Sequence, residues 1–191
     1  MIDGTTPTPP ENGIVDTIVT PCRVPWEISP TDSVVTLRHT ETMCDRECAV
    51  VLGARDLSGN RLQVEIEFDC CYYARVGPHD DSEGIAAIGY KVNWPFEGSL
   101  DDDHELGSRL WAKTGFCPDS GFYLARQSPW LQSLADVYQR DCRHYVVYGR
   151  DGHVELVAKK FKWRAWHWPE WTDREEAPKN GPVVCEGESV E

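Results

Sequence analysis

A chain of 191 residues is long enough to bury an ordinary hydrophobic core without metal or disulfide staples. Its 40% hydrophobic and 27% charged residues are the composition of a soluble globular protein, and no apolar run is long enough to span a bilayer as a helix. The net charge of −13 argues against nucleic acid as a partner, since phosphates attract basic surfaces, and favours a basic protein instead.

The opening MIDGTTPTPPENG has no basic segment followed by an apolar one, as a secretory signal would, so a cytoplasmic location is the expectation. Residues 1–32 read as an extended Pro-rich arm, partly disordered, with Trp26 packing on the body. A single α+β domain is expected over 33–171, followed by a disordered acidic tail over 172–191, where charge, Pro and Gly leave few apolar groups to offset the entropy of ordering. Much of the net charge sits in these ends. Residues 1–32 carry five acids and one arginine, and residues 170–191 carry seven acids and two bases.

Within the body, SVVTLRHT alternates as a strand, and CAVVLGARD, SGN and RLQVEIEFD form a hairpin. Leu62, Val64, Ile66 and Phe68 share one face of its second arm, with Arg61, Gln63, Glu65, Glu67 and Asp69 on the other. From Gly77 to Gly121 the chain reads as one or two short strands and a long acidic loop around SLDDDHELGS. Ser128-Pro129 then gives an N-cap and first-turn proline to a helix through WLQSLADVYQR, whose apolar face is Trp130, Leu131, Leu134, Val137 and Tyr138. HYVVYG, RDG and HVELVAKKFKWRAW complete a second hairpin. The expected architecture is an antiparallel sheet of about five to seven strands with one main helix and disordered acidic tails.

The last strand changes parity. Val154, Leu156 and Ala158 give way on their own face to Lys160, Lys162 and Arg164, while Phe161 and Trp163 make the other face apolar. Those two aromatics either pack beneath the N-terminal arm or the acidic loop, or they form a stacking platform. Trp166, Trp168 and Trp171 are candidates for anchoring a protein partner, because tryptophan is enriched at binding hot spots.

The eight cysteines are expected to be free thiols in a reducing compartment. Zinc could gather Cys48 and Cys70 with other thiols if their strands pair, although neither Cys44-Asp-Arg-Glu-Cys48 nor Cys70-Cys71 has zinc-knuckle spacing, and a small apolar role is the alternative. No metal or cofactor is assigned. His104 beside Asp101, Asp102 and Asp103 could hold a hard metal or form a solvated loop. His144, Asp151 and His153 flank the second hairpin and could do acid–base chemistry, but the two histidines are not expected to face one another directly. Cys142, two residues before His144, and Cys117 are the thiols to weigh as nucleophiles. No catalytic residue is assigned, and no GxSxG, HExxH, P-loop or GxGxxG pattern is present.

The order GFYLARQSPWL, helix, HYVVY, turn, HVELVAKKF resembles a loose group of small bacterial α+β proteins, some of them similar to immunity proteins of polymorphic toxin systems. Phe122, Tyr123, Ser128, Leu131, His144, Tyr145, Val154, Glu155, Leu156 and Ala158 carry the resemblance over roughly residues 48–162, while the Trp-rich end, the cysteines and both tails depart from it. It implies a noncatalytic binding role, with acidic residues capping a basic toxin surface. The expected function is therefore an immunity- or inhibitor-type module that binds a basic protein through Asp101, Asp102, Asp103, Glu105, Trp166, Trp168 and Trp171. The alternatives are an enzyme using a metal or cysteine site and a structural subunit of a larger assembly.

Overall fold

The computed structural model describes residues 17–28, 35–41, 46–77, 84–96, 104–150, 152–167 and 183–188. In chain order the elements are β1 (Thr17–Pro21), β2 (Glu27–Ile28), β3 (Thr36–Glu41), β4 (Arg46–Arg55), β5 (Arg61–Asp69), β6 (Tyr73–Gly77), a 3-10 turn at Gly84–Ile88, β7 (Tyr90–Val92), α1 (His104–Thr114), β8 (Phe122–Arg126), α2 (Pro129–Gln132), α3 (Asp136–Asp141), β9 (Arg143–Tyr148), β10 (His153–Ala158), β11 (Lys160–His167) and β12 (Val183–Glu188). The class is α+β. The strands form two six-stranded sheets, ordered β6-β10-β9-β8-β1-β7 and β12-β11-β5-β4-β2, with β3 also paired to β4. Neighbours are antiparallel except for the parallel pair β1 and β7.

One core lies between the sheets. The second sheet contributes Val50, Leu52 and Ala54 of β4, Leu62, Val64, Ile66 and Phe68 of β5, and Phe161, Trp163 and Ala165 of β11. Phe122, Tyr145, Val147, Val154, Leu156 and Ala158 meet them from the first sheet. The alternation in β5 is thus the inside and outside of a sandwich. On its outer face Lys160 lies 3.3 Å from Asp69 and Lys162 2.7 Å from Glu67, and Arg164 also pairs with Glu67.

The parity change between β10 and β11 marks a corner. β10 belongs to the first sheet and β11 to the second, and Lys159 joins them. The neighbouring chain turns at the same place, from β5 through Cys70 to β6, with Cys70 at φ 50. Hydrogen bonds from Lys159 N–H to Asp69 O (3.1 Å) and Tyr72 N–H to Val157 O (2.9 Å) tie the two bends together. Lys159 is one extra residue at the bend, which shifts the core-facing parity by one, so the odd-numbered Phe161 and Trp163 replace the even-numbered Val154, Leu156 and Ala158.

Trp26 is fully buried, stacked on Phe122 at 6.3 Å and edge-on to Trp163 at 6.0 Å. Trp26 packs on the body as expected of the Pro-rich arm, and the described residues 17–28 of that arm go further: Val24 and Trp26 enter the core, and β1 is an interior strand between β8 and β7. Within the stretch expected as a disordered tail, Val183–Glu188 pairs with β11. Gly187 stands opposite Trp163, where an added Cβ would come within 2.7 Å of the indole nitrogen, so a glycine lets the ring lie against the strand.

The helices also differ from expectation. The segment after Ser128 is broken into α2 and α3, and Gln139 Nε2 donates to the carbonyls of Gln132 (3.0 Å) and Leu134 (2.6 Å) at the break. This turns Leu134 towards Cys142 and Val157 and leaves Val137 exposed. The longest described helix is α1, which occupies part of the segment expected as an acidic loop. Its Glu105–Arg109 pair spans one turn at 3.3 Å, and Trp111 is buried.

Candidate functional site

Two places concentrate functional groups. The first is a buried polar cluster on the side of the first sheet facing away from the sandwich core. β10 is buried on both faces, yet it carries Glu155 among Val154, Leu156 and Val157. Arg75, directly opposite on β6, grips the carboxylate through Nε (2.8 Å) and Nη2 (2.6 Å), and Tyr90 donates its hydroxyl to the same group. Tyr90 is on β7, four strands from β10, or about 19 Å across a flat sheet, which two side chains cannot bridge. The sheet therefore curls to bring its far edge over Glu155.

His144 Nε2 lies 2.9 Å from Glu155 and His153 Nε2 3.4 Å from it. The sequence correctly put the histidines out of register, since His144 pairs with Val157 and His153 with Tyr148. They meet because both reach the residue between them. Gly77 makes room for His153, because a Cβ there would stand 2.4 Å from the imidazole. Burial alone would raise the Glu155 pKa, but hydrogen bonds from His144, His153 and Arg75 outweigh it and hold the carboxyl far below its ordinary range. Burial lowers the His144 pKa, more than Glu155 raises it.

These two directions fix the tautomer. A neutral His144 facing an ionised Glu155 must carry its proton on Nε2, so Nδ1 accepts the Ser128 hydroxyl at 2.7 Å. Ser128 Oγ in turn accepts Leu131 N–H at 3.1 Å as the cap of α2. The bond order carboxylate, imidazole, hydroxyl is that of an activated nucleophile. Its surroundings are closed, however: Ser128 is 3% exposed and the edges of Trp130 and Tyr90 meet the His144 ring at 5.0 and 6.1 Å. Arg75 is stacked over Trp130 at 4.4 Å.

The second place is a cleft of about 360 Å³ between the β4–β5 hairpin, β2, α1 and the segment before β8. Glu27, Asp56 and Asp119 line it, with Arg55 as their cationic neighbour and Leu57, Trp111, Cys117 and Pro118 as apolar wall. Glu27 stands across from Arg55 in the β2–β4 pair. Burial raises the Glu27 pKa; Arg55 opposes this and Asp119 adds to it. Tyr123 donates to Asp119 at 2.5 Å. Asp56 is engaged by Ser58 N–H, Asn60 N–H and Asn60 Nδ2, which set the hairpin turn.

Of the residues expected to contact a partner, Glu105 is in the first turn of α1, the helix whose Gly107 and Ser108 line the cleft, and its side chain is 85% exposed. Trp166 is half-buried on the outer face of β11, with Arg164 5.8 Å from its ring centre. It pairs with Gln63, near the hairpin end of β5. Asp101, Asp102, Asp103, Trp168 and Trp171 lie outside the described residues, as does Asp151. Phe161 and Trp163 belong to the core, which leaves no stacking platform on that face.

The two thiols weighed as nucleophiles, Cys142 and Cys117, are held towards the protonated form. Burial pushes Cys142 and Cys117 above the ordinary thiol range, although Lys159 opposes this at Cys142. Cys48 and Cys71 are both buried in the core, where the Cys71 thiol donates to the Tyr73 carbonyl at 3.7 Å. Among the described residues no three His, Cys, Asp or Glu side chains are grouped to hold a metal ion, and no helix is long and apolar enough to cross a membrane.

Fold and geometry together define a two-sheet α+β protein with a closed buried polar cluster and an open acidic cleft. No family model, curated protein or solved structure matches the chain.

Proposed function

We propose that this chain is a cytoplasmic protein-binding module of immunity or inhibitor type, which engages a basic partner at the cleft end of the sandwich. One observation carries the reading: the cleft sets three carboxylates, Glu27, Asp56 and Asp119, against the single guanidinium of Arg55, and it adjoins the helix that bears Glu105. Like charges gathered on an open surface steer an oppositely charged partner and set its orientation. Asp101, Asp102 and Asp103 immediately precede this helix in sequence. Trp166, Trp168 and Trp171 supply apolar anchors. The test is capture of a basic protein by the tagged chain at low and high salt, repeated with Asp101→Asn, Asp102→Asn, Asp103→Asn and Glu105→Gln combined. A complex that dissolves at high salt and weakens in the variant is expected; one indifferent to both rules the reading out.

An enzyme is the second reading, favoured by the hydrogen-bond order Glu155, His144, Ser128. A fluorophosphonate probe decides it. Labelling at Ser128 that is lost in Ser128→Ala supports the enzyme; an unlabelled Ser128 leaves the cluster a structural one, as its closure suggests.

A further inference from the structure

Resting on the binding-module reading, we infer that the cleft receives one lysine or arginine side chain from the partner protein, its charged head set between Glu27 and Asp119. The volume of about 360 Å³ is at the small end of ligand cavities, suited to one long side chain with accompanying water rather than to a folded element. The chemistry of the lining is graded. Leu57, 47% exposed on the hairpin turn, offers the apolar contact where the partner surface would surround the entering residue, as it does around interface hot spots. Trp111 and Pro118 line the wall where the alkyl stem of a cationic side chain is stabilised while its head keeps polar contacts.

The two carboxylates have different roles. Glu27 comes from β2 and Asp119 from the segment leading into β8, and Ile28 N–H to Ser120 O at 3.0 Å ties these two pieces of chain together. Their separation is thus fixed by backbone rather than by flexible side chains. Asp119 is oriented by the Tyr123 hydroxyl, and Arg55 faces Glu27 across the strand pair. With Asp56 the lining carries three negative groups to one positive, so an entering cation brings the group closer to neutrality. An anion would meet the opposite balance. The hairpin turn is fixed by the Asp56 network, so this wall is formed before any partner arrives.

Binding should also depend on pH with a defined sign. In the cleft Glu27 is accompanied by Arg55 and Asp56 from the β4–β5 hairpin, Asp119 and Cys117 from the segment before β8, and the uncharged Gly107, Ser108 and Trp111 from α1. A cation favours ionised Glu27, whose pKa lies above 4.5 in the free protein, so affinity is greatest above that pKa and falls as pH drops through it.

The test uses the full chain and three capped peptides: one with a single central arginine flanked by glycine and leucine, the same peptide with citrulline, and a hexa-arginine peptide. Indole N–H resonances assigned by single Trp→Phe variants report the site. The expected result is a shift of the Trp111 signal by the arginine peptide, at least fivefold weaker binding of the citrulline peptide, and a similar loss in Glu27→Gln with an unchanged unfolding midpoint. If the hexa-arginine peptide binds in a salt-sensitive way but neither moves Trp111 nor responds to Glu27→Gln, the cleft assignment is overturned and the binding-module reading survives. If no basic peptide binds, both fall.

Discussion

Glu155 shows how one side chain can organise a buried region. It is nearly inaccessible, and its charge is tolerated because Arg75, Tyr90, His144 and His153 all point at it. Removing it strands several buried donors at once. Glu155→Ala should destabilise the fold by about 3 kcal/mol in urea unfolding at neutral pH, at the low end for a broken buried pair because Arg75 is partly exposed and regains water. A change within 1 kcal/mol would mean that the cluster contributes little. The pKa directions also predict acid sensitivity. His144 is depressed below 6.5, so the unfolded chain takes up a proton first and stability falls as pH drops below about 6.5; Glu155 is depressed below 4.5 and adds a second, steeper loss under that value. In His144→Gln the loss between about pH 6.5 and 5 should shrink while the lower one remains, as unfolding curves across pH would show. The sequence displayed both histidines and the glutamate, but it weighed Asp151 as their carboxylate. A glutamate embedded in a strand with valine and leucine on either side was the available signal, since such a residue needs buried partners.

At the scale of elements, the two bends at Lys159 and Cys70 determine how the ribbons divide between sheets. Side-chain parity was legible: Val154, Leu156 and Ala158 followed by Phe161 and Trp163 is a phase shift of one residue. Its cause was not, because a bulge, a corner and an exposed aromatic face all produce the same pattern. Deleting Lys159 would remove the shift and put either the β10 or the β11 apolar set on the wrong face. The deletion variant should fail to fold cooperatively, whereas Lys159→Ala should cost under about 1 kcal/mol, since the residue is exposed and acts through backbone spacing. Circular dichroism melts of the two variants check this, and a cooperative melt of the deletion would refute the corner's role. The break between α2 and α3 was hidden for a related reason. Periodicity continued through Leu134, but Gln139 satisfies the carbonyls freed by the turn, and its partners are backbone groups that no hydrophobic pattern marks.

For the whole molecule the boundaries matter most. Trp26 contacts Phe122 of one sheet and Trp163 of the other, and β1 lies between β8 and β7. A fragment of residues 33–171 omits Trp26, β1, β2 and β12. It is expected to be unfolded or molten, with few dispersed amide resonances, while the full chain unfolds cooperatively; a well-dispersed spectrum of the fragment would show that the N-terminal residues are dispensable. By itself the sequence determined the α+β class, the faces of β5, the two hairpins, the Ser128 cap and the acidic balance, because each follows from local periodicity, turn chemistry or a count of charges. Only the tertiary structure decided that two sheets enclose the aromatics, that two histidines and Ser128 join Glu155, and that Glu27, Asp119 and Trp111 line one cleft. Those groups come from distant segments, and nothing local to any one of them specifies where the others will lie when the sheets twist and close.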